Sequence, residues 1–361
     1  MKIAIMGAGL SGLACALTLE KHGYQADIFE RRGMVGDRFI VAEAMFAMFH
    51  KPFDDMVKYL TEEHDIHLKP TCNTQRVYSH SENESSYVDG HLGFINMRGK
   101  HPESYEKQLA SQLKGKIQFN QNVTYKDVSK EYSHVVLATG DALDTEKLQP
   151  YEVAFKANFK GAIMEGDFNQ TEVHTFYNND FAPKGMAYIL PHSDHEATLV
   201  NVYPQYPENE KLDKDLLFEK SVAECSRILD QDFTIKDEFS IKNYRVGKTE
   251  FPRIGNTFFV GNCFGAITPL FGFGQFESML TGIYAAHDIV GIGDYSELVK
   301  PLKQSYHDSL SLRRAIEKLD NKQLDRVTKS LNNKLVEQLV TSKNVNFLKL
   351  LSRAIHPFGR N

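Results

Sequence analysis

The chain has no tryptophan and only four cysteines. Cys15, Cys72, Cys225 and Cys263 are scattered without CxxC spacing, so neither a metal site nor a disulfide framework is expected. No run of about 18 apolar residues is present to cross a bilayer. The amino terminus leads straight into the apolar run KIAIM (residues 2–6) instead of a cleavable signal, so a cytoplasmic location is expected. Positive charge is also in short supply. The 42 Lys and Arg stand against 47 Asp and Glu, a net charge of −5 that has the wrong sign for a general nucleic-acid binder. Repeats, low-complexity tracts and long linkers are missing too. What is present is ordinary for a globular protein: 361 residues, 42% hydrophobic and 25% charged, enough for a large core and a two-part architecture.

The charge is unevenly placed. Residues 300–361 carry thirteen Lys and Arg against five Asp and Glu, a balance of +8, so residues 1–299 carry −13. Two readings are open for this basic carboxy-terminal region. It is a solvated helical face packed against an acidic body, or a surface that makes peripheral membrane contact with lipid phosphate.

The pattern from Lys2 to Glu30 reads strand, tight turn, helix, strand. KIAIM is followed by Gly7-Ala8-Gly9-Leu10-Ser11-Gly12, then by a helix with Leu13, Ala16, Leu17 and Leu19 on its buried face. Gly23 stands at the expected helix end, and Ala26 to Phe29 forms the second strand. Further helices are expected over 53–63 and 102–113, strands near Ile117 and over 135–137, and an exposed polar hairpin over 76–87. Between about 155 and 244 short alternating runs broken by Pro, Asn, Asp and Gly predict a largely antiparallel sheet with one helix over 211–229. A strand is expected over 257–261, a long helix over 274–290, and helices from Tyr295 onward.

A GxGxxG is a weak signal alone, but here it follows a strand, opens a helix and has Glu30 eighteen residues after Gly12. The first glycine permits the turn, the second lets the backbone approach a pyrophosphate, and the third lets helix and strand pack closely. Phosphate meets the free N–H groups of the helix start, and a carboxylate at Glu30 accepts both hydroxyls of an adenosine ribose. The pattern points to FAD or NAD.

A second segment, Gly255 to Ala286, resembles the late fingerprint of flavoproteins of the glutathione reductase structural class. There a strand ends in Gly-Asp and the acid holds the ribityl chain; here the pair is Gly261-Asn262. Pro269-Leu270-Phe271-Gly272-Phe273-Gly274 is similar to that family's PxxGxG turn, which starts a helix aimed at the flavin, and Ala138-Thr139-Gly140 resembles the turn beside the cofactor. The order of these elements most resembles the geranylgeranyl reductase branch of FAD-dependent oxidoreductases, related to the aromatic hydroxylases. Gly185 to Pro191 sits where that branch has its substrate-facing YxWxFP-like segment, and Arg98-Gly99 with SYEKQLASQL resembles its Arg-then-helix element. Gly33 to Arg38 replaces the Cys-Gly-Gly loop of the archaeal reductases.

The resemblance implies an α/β fold. It has an FAD-binding βαβ domain with a central parallel sheet (1–154 and 245–294), an inserted antiparallel-sheet substrate domain (155–244) and a helical C-terminal tail (295–361). It implies FAD contacts at Gly7, Ala8, Gly9, Leu10, Ser11, Gly12, Glu30, Arg31, Arg38, Arg98, Val123, Ala138, Thr139, Gly140, Gly261, Asn262, Gly272, Gly274 and Gln275. A substrate pocket is expected at Tyr188, Pro191, Phe271 and Phe273. No second GxGxxG with strand context exists, so NAD(P)H would bind transiently or a reduced carrier would deliver electrons. The activity implied is reduction of a C=C bond in a small apolar, polyprenyl-like substrate, flavin N5 giving hydride to one carbon while an acid or water protonates the other. Tyr188 and His192 are the candidate acids, and both also read as structural residues. Phe46, Phe49, Phe53, Phe258, Phe259, Phe264, Phe271, Phe273 and Phe276 could wall an apolar tunnel or simply fill the core. Cys263, beside the ribityl turn, reads as a small buried residue, with a flavin–thiol role as the sharper alternative. Two other functions fit the same residues: a flavin monooxygenase, and an FAD-binding redox sensor or scaffold.

Overall fold

The computed structural model describes residues 1–332. Its first layer is a six-stranded sheet in the order Arg253–Ile254, Thr257–Phe259, His134–Leu137, Ile3–Met6, Asp27–Phe29 and Ile117–Gln118. All neighbours are parallel except the first pair. Strands buried on both faces need apolar residues throughout, and Ile3, Ala4, Ile5 and Met6 are all buried.

Register explains how distant segments meet. Met6 pairs with both Phe29 and Leu137, and Leu137 pairs with Phe259, so four strands end at one level. The residues that leave those strands, Gly7, Glu30, Ala138 and Val260, therefore emerge side by side along the carboxyl edge, where open α/β sheets bind ligands.

Two helices cover one face of this sheet, Leu10–Lys21 and Gln275–Ile289. They touch through main chain: a Cβ on Gly282 would lie 2.0 Å from the Ser11 carbonyl oxygen, and one on Gly261 would lie 2.6 Å from Ser11 Oγ. Small residues at 282 and 261 are what bring the late segment onto the amino-terminal turn. Below them Leu13, Leu19, Phe258, Phe276, Met279 and Ile283 make a common core with the sheet.

The second layer is an eight-stranded sheet in the order Thr234–Thr249, Tyr151–Glu165, Glu196–Pro204, Met186–Pro191, Glu172–Phe176, Cys72–His80, Ser85–Arg98 and Val41–Phe46. All its pairs are antiparallel but one: Cys72–His80 runs parallel to Glu172–Phe176. The helix Lys214–Leu229 packs its Phe218 and Cys225 on this layer. The sheet extends well beyond residues 155–244, because 41–98 supplies three strands. The parallel pair that joins the halves has no local turn to announce it, so the sequence shows only a polar hairpin. That hairpin is longer than expected; its tip, Glu82 and Asn83, is exposed as expected, and Asp325 accepts from Ser81 Oγ at 2.7 Å and from Asn83 Nδ2 at 2.9 Å.

Helices Tyr295–Leu298, Lys300–Ile316 and Asn321–Ser330 form the described part of the carboxy-terminal region. Tyr295, Val299, Tyr306 and Leu312 are buried, Lys329 pairs with Glu84 at 2.8 Å, and the last helix starts on an Asp320–Gln323 capping box. This stretch is integral to the body. The rest of the basic region, 333–361, lies outside the described residues. Among the described residues no helix is long and apolar enough to cross a membrane.

Candidate functional site

The carboxyl edge of the first sheet and the concave side of the second enclose a cleft of about 450 Å³, within the range of small-molecule sites. Its polar end is main chain. Gly7 has φ +112° and leaves no room for a side chain, since a Cβ would meet the Ala138 oxygen at 2.3 Å. A Cβ on Gly12 would lie 2.1 Å from the Gly7 oxygen. Gly9 is different: nothing lies within 4 Å of its would-be Cβ, so the space beside it is open. Gly9 is also the N-cap of the helix Leu10–Lys21 and supplies no side-chain cap, which leaves the first amides of that helix free.

A second uncapped helix start faces the same cleft. Gly274 is the N-cap of Gln275–Ile289 and has no side chain to cap it. The buried Oε1 of Gln275 has no partner. The two ends carry the partial positive charge of helix amino termini and favour electron-rich groups. Glu30 stands between the sheet edge and the cleft, its carboxylate accepting from Ala8 N at 2.9 Å and Arg32 N at 3.0 Å. Each of those oxygens keeps a lone pair for a ligand hydroxyl. Asn262 gives its Nδ2 to the Gly140 oxygen at 3.2 Å and to Tyr244 Oη at 2.6 Å. Both amide hydrogens are thereby used, so a ligand can only donate to Oδ1.

Arg98 and Arg38 enter as members of a partly buried charge cluster. Arg98 engages Glu106 through Nε at 3.0 Å and Nη2 at 2.9 Å, and Glu43 through Nη1 at 2.5 Å; Arg38 Nη2 reaches Glu43 at 3.2 Å. The side chains of Arg98 and Glu106 are only 11% and 4% exposed. Burial opposes the charge on Arg98, but Glu106 and Glu43 outweigh it and raise its pKa. Burial likewise opposes ionisation of Glu106, and the Arg98 and Arg38 guanidiniums hold its carboxyl below the usual range. Arg38 Nε and Glu106 Oε2 are buried without partners. Arg31 and Arg32 line the same end.

The far end is made of side chains. Phe155, Ala157 and Phe159, Val200 and Val202, and Phe239 and Ile241 are alternate residues on three neighbouring strands and line one chamber. Gly161 makes space for the Phe239 ring, whose Cζ would be 2.4 Å from a Cβ there, and Phe239 stacks on Phe39 with centroids 4.4 Å apart. Tyr188 also lines the cleft; burial, with Glu43 adding to it, raises its phenol well above the usual value, so it stays protonated.

Of the residues expected at the cofactor, Gly7 to Ser11, Glu30, Arg31, Arg38, Arg98, Ala138 to Gly140, Gly261, Asn262, Gly272, Gly274 and Gln275 all line this cleft. Gly12 is inside the helix, where its role is close packing. Val123 is not at the cleft; it packs on the core beside Phe259 and Cys263. Of the expected substrate pocket, Tyr188 and Phe271 are present. Pro191 is buried at a strand end opposite Ala197, and Phe273 turns away to pack on Phe46 and Phe49 at 5.5 and 5.3 Å. His192 does not reach the cleft either. Burial, then the charge of His101, pushes it down to about 4, and its Nδ1 lies 4.0 Å from Glu196. Phe258, Phe259, Phe264 and Phe276 are core. Cys263 is buried, its thiol raised by that burial and its Sγ 3.3 Å from Thr139 Oγ1, which fits the inert reading.

Sequence reasoning missed Glu43 and Glu106 and the whole aromatic chamber. An acid inside the apolar run VAEAMF was one available signal; the period-two pattern of Phe155, Phe159, Val200 and Val202 was another.

Residues 5–39 match the model of an NAD(P)-binding Rossmann-like domain. Over 43 residues, 12% of this chain, the sequence is 49% identical to a 4,4'-diapolycopen-4-al dehydrogenase of Metabacillus indicus, of which the match spans only 9%. Solved structures match along the whole chain. A geranylgeranyl bacteriochlorophyll reductase-like protein from Thermoplasma acidophilum superposes with TM-score 0.72 at 12% identity, covering 98% of this chain and 95% of that one. A flavin-dependent brominase gives 0.68 at 14%, covering 99% of each. A flavin-dependent monooxygenase in complex with FAD and substrate gives 0.61 at 13%, covering 100% of this chain and 72% of that one. This chain has their fold. The shared architecture is the expected one: a parallel dinucleotide-binding sheet, a second largely antiparallel sheet and a helical carboxy-terminal region.

Proposed function

We propose that the protein is an FAD-dependent oxidoreductase acting on an apolar substrate, with reduction of a C=C bond in a polyprenyl-like molecule as its reaction. One observation carries the reading: two helix starts without side-chain caps, from segments some 260 residues apart, open on one cleft that continues into an aromatic chamber. The residues fit the cofactor. The open side of Gly9 and the free amides after it suit a pyrophosphate, the Glu30 oxygens suit a ribose, Asn262 Oδ1 suits a ribityl hydroxyl, and the turn at 269–274 suits the ring. When bound, FAD would supply two-electron chemistry at the junction of the two ends. The chain's part is to hold it, to keep water from the chamber and to offer Tyr188 as a protonated hydrogen-bond donor beside the apolar wall. NAD(P)H or a reduced carrier would be the electron source.

The brominase and monooxygenase folds support a second reading, in which the same cleft serves an oxygen-dependent reaction. One experiment separates them. The protein is loaded with FAD, reduced anaerobically with dithionite, and mixed with a polyprenyl alkene or with oxygen plus the same alkene. Reoxidation by the alkene with a product two mass units heavier supports reduction. Turnover only with oxygen and a product gaining sixteen supports the monooxygenase. Failure to retain FAD in a visible-spectrum titration overturns both.

A further inference from the structure

The helix Lys300–Ile316 packs beside the turn at 268–274 with its Arg313 and Ile316 reaching the cleft, and two of its residues hold that turn. Leu270 N donates to Ser309 Oγ at 2.8 Å, and Ser309 is 0% exposed. One turn further on, Arg313 Nη1 donates to the Pro269 oxygen at 3.1 Å. Within the turn, Thr268 N donates to the Phe273 oxygen at 2.7 Å and Gly272 N to the Thr268 oxygen at 3.0 Å, so the loop closes on itself, and among the described residues its hydrogen bonds from outside at 269 and 270 come from this helix. The front of the loop, Pro269 to Gly272, lines the cleft.

Arg313 is itself fixed on several sides. Its guanidinium lies 3.8 Å from the centroid of Phe155, a wall of the chamber, and its Nε is 2.6 Å from Glu317 Oε1. Glu317 in turn accepts from Tyr206 Oη at 2.9 and 2.8 Å. A half-buried arginine so constrained adds little by charge alone, since Glu317 balances it; what it adds is geometry. A planar fork stacked on an aromatic ring presents its remaining N–H in one direction.

We infer that Ser309 and Arg313 are positioning residues that set the 269–272 turn, and with it the uncapped start of the helix Gln275–Ile289, against the ligand. The inference rests on the flavin reading of that turn. It assigns to the carboxy-terminal region a role at the site in place of a separable tail. Backbone donors held at fixed distance stabilise developing negative charge without reorganising, and a turn free to recede loses that effect.

The test uses the full chain and the variants Ser309→Ala, Arg313→Met and Arg313→Lys, with Lys322→Ala on the neighbouring helix as control. Hydrogen exchange of the 266–275 peptide is measured first without added FAD. Loss of one anchoring bond speeds exchange about fivefold in Ser309→Ala and Arg313→Met, with Arg313→Lys between them and wild type. The midpoint potential and visible spectrum of FAD-loaded protein are then compared. The potential falls in the same order, while Lys322→Ala matches wild type. Exchange equal to wild type in Ser309→Ala and Arg313→Met overturns the inference whether or not FAD binds. So does a loosened turn with an unchanged potential and spectrum. Wild-type protein that takes up no FAD overturns the flavin reading instead. Should Arg313→Met fail to fold, Ser309→Ala decides alone, because it removes one oxygen and leaves the helix intact.

Discussion

At one end of the cleft the wall is main chain, Gly7 to Ser11, Ala138 to Gly140 and Gly261, and the side chains that matter there are hydrogens. At the other end the wall is Phe155, Phe159, Val200, Val202 and Phe239, from three strands of a sheet whose members come from all over the chain. A main-chain site demands particular φ values and close approaches, which only glycine permits, so it leaves a mark in the local sequence. A side-chain chamber demands only bulk and a shared face, which many sequences satisfy, so its specificity is open to change without loss of the fold.

The sharpest way to break this comparison is at Gly9. Gly9→Val should fold, because no atom stands within 4 Å of the new Cβ, yet lose FAD by more than about 100-fold because the space filled is the ligand's. Gly12→Val should fail to fold, as its Cβ would lie 2.1 Å from the Gly7 oxygen. Circular dichroism and a flavin titration on the pair distinguish the roles; a Gly9→Val protein that is yellow and fully loaded would sink the main-chain account. Next in size is the charge cluster between the two ends. Arg98→Met takes its main partner from the buried Glu106 and should cost about 3–5 kcal/mol in urea unfolding, whereas an exposed pair such as Lys58–Glu62 should cost under about 1 kcal/mol.

The second sheet carries an acid sensitivity of its own. His80 Nε2 lies 3.1 Å from His174 Nδ1, and burial pushes the two imidazoles down to about 4 and about 3. Their unfolded counterparts take up protons near the ordinary value of 6.5, so the unfolded state binds more protons as pH falls below 6.5. Stability is therefore undiminished above that pH and lost between about 6.5 and 4, by roughly 3 kcal/mol for His80. Thermal unfolding across this window should show the decline, and His174→Phe should flatten it; a His174→Phe curve parallel to wild type would remove the pair as its cause. A smaller effect on the cofactor than that of Gly9 is expected at Glu30. Glu30→Ala should weaken FAD by roughly 1–3 kcal/mol through the lost ribose contact, read by calorimetry, and an unchanged affinity would mean that the carboxylate serves only Ala8 and Arg32.

The parts of the site that were legible share one property. The glycines of the first turn, Glu30, Ala138-Thr139-Gly140 and Gly261-Asn262 each belong to a strand and the turn that leaves it, and nearly all of them line the cleft. Where the sequence reading went astray, the deciding contact was long-range. Phe273 and Phe271 are two residues apart and both touch Phe49, yet only Phe271 reaches the cleft, while Phe273 packs on Phe46. Pro191 closes the strand that holds Tyr188 and His192 follows it, and neither lines the cleft. Arg98 is at the cleft as expected, but Glu106 and Glu43 occupy much of its guanidinium.

By itself the sequence determined the dinucleotide-binding half: a turn that needs missing side chains can be read wherever those side chains are missing. The strand level that aligns Gly7, Glu30, Ala138 and Val260, the three strands that 41–98 lends to the second sheet, and the helix that holds Pro269 and Leu270 were decided only in three dimensions. Each depends on contacts between residues distant in the chain, from Leu270 and Ser309, 39 positions apart, to Ile3 and His134, 131 apart. Such pairing is set by the burial of whole faces, and no single residue type records it.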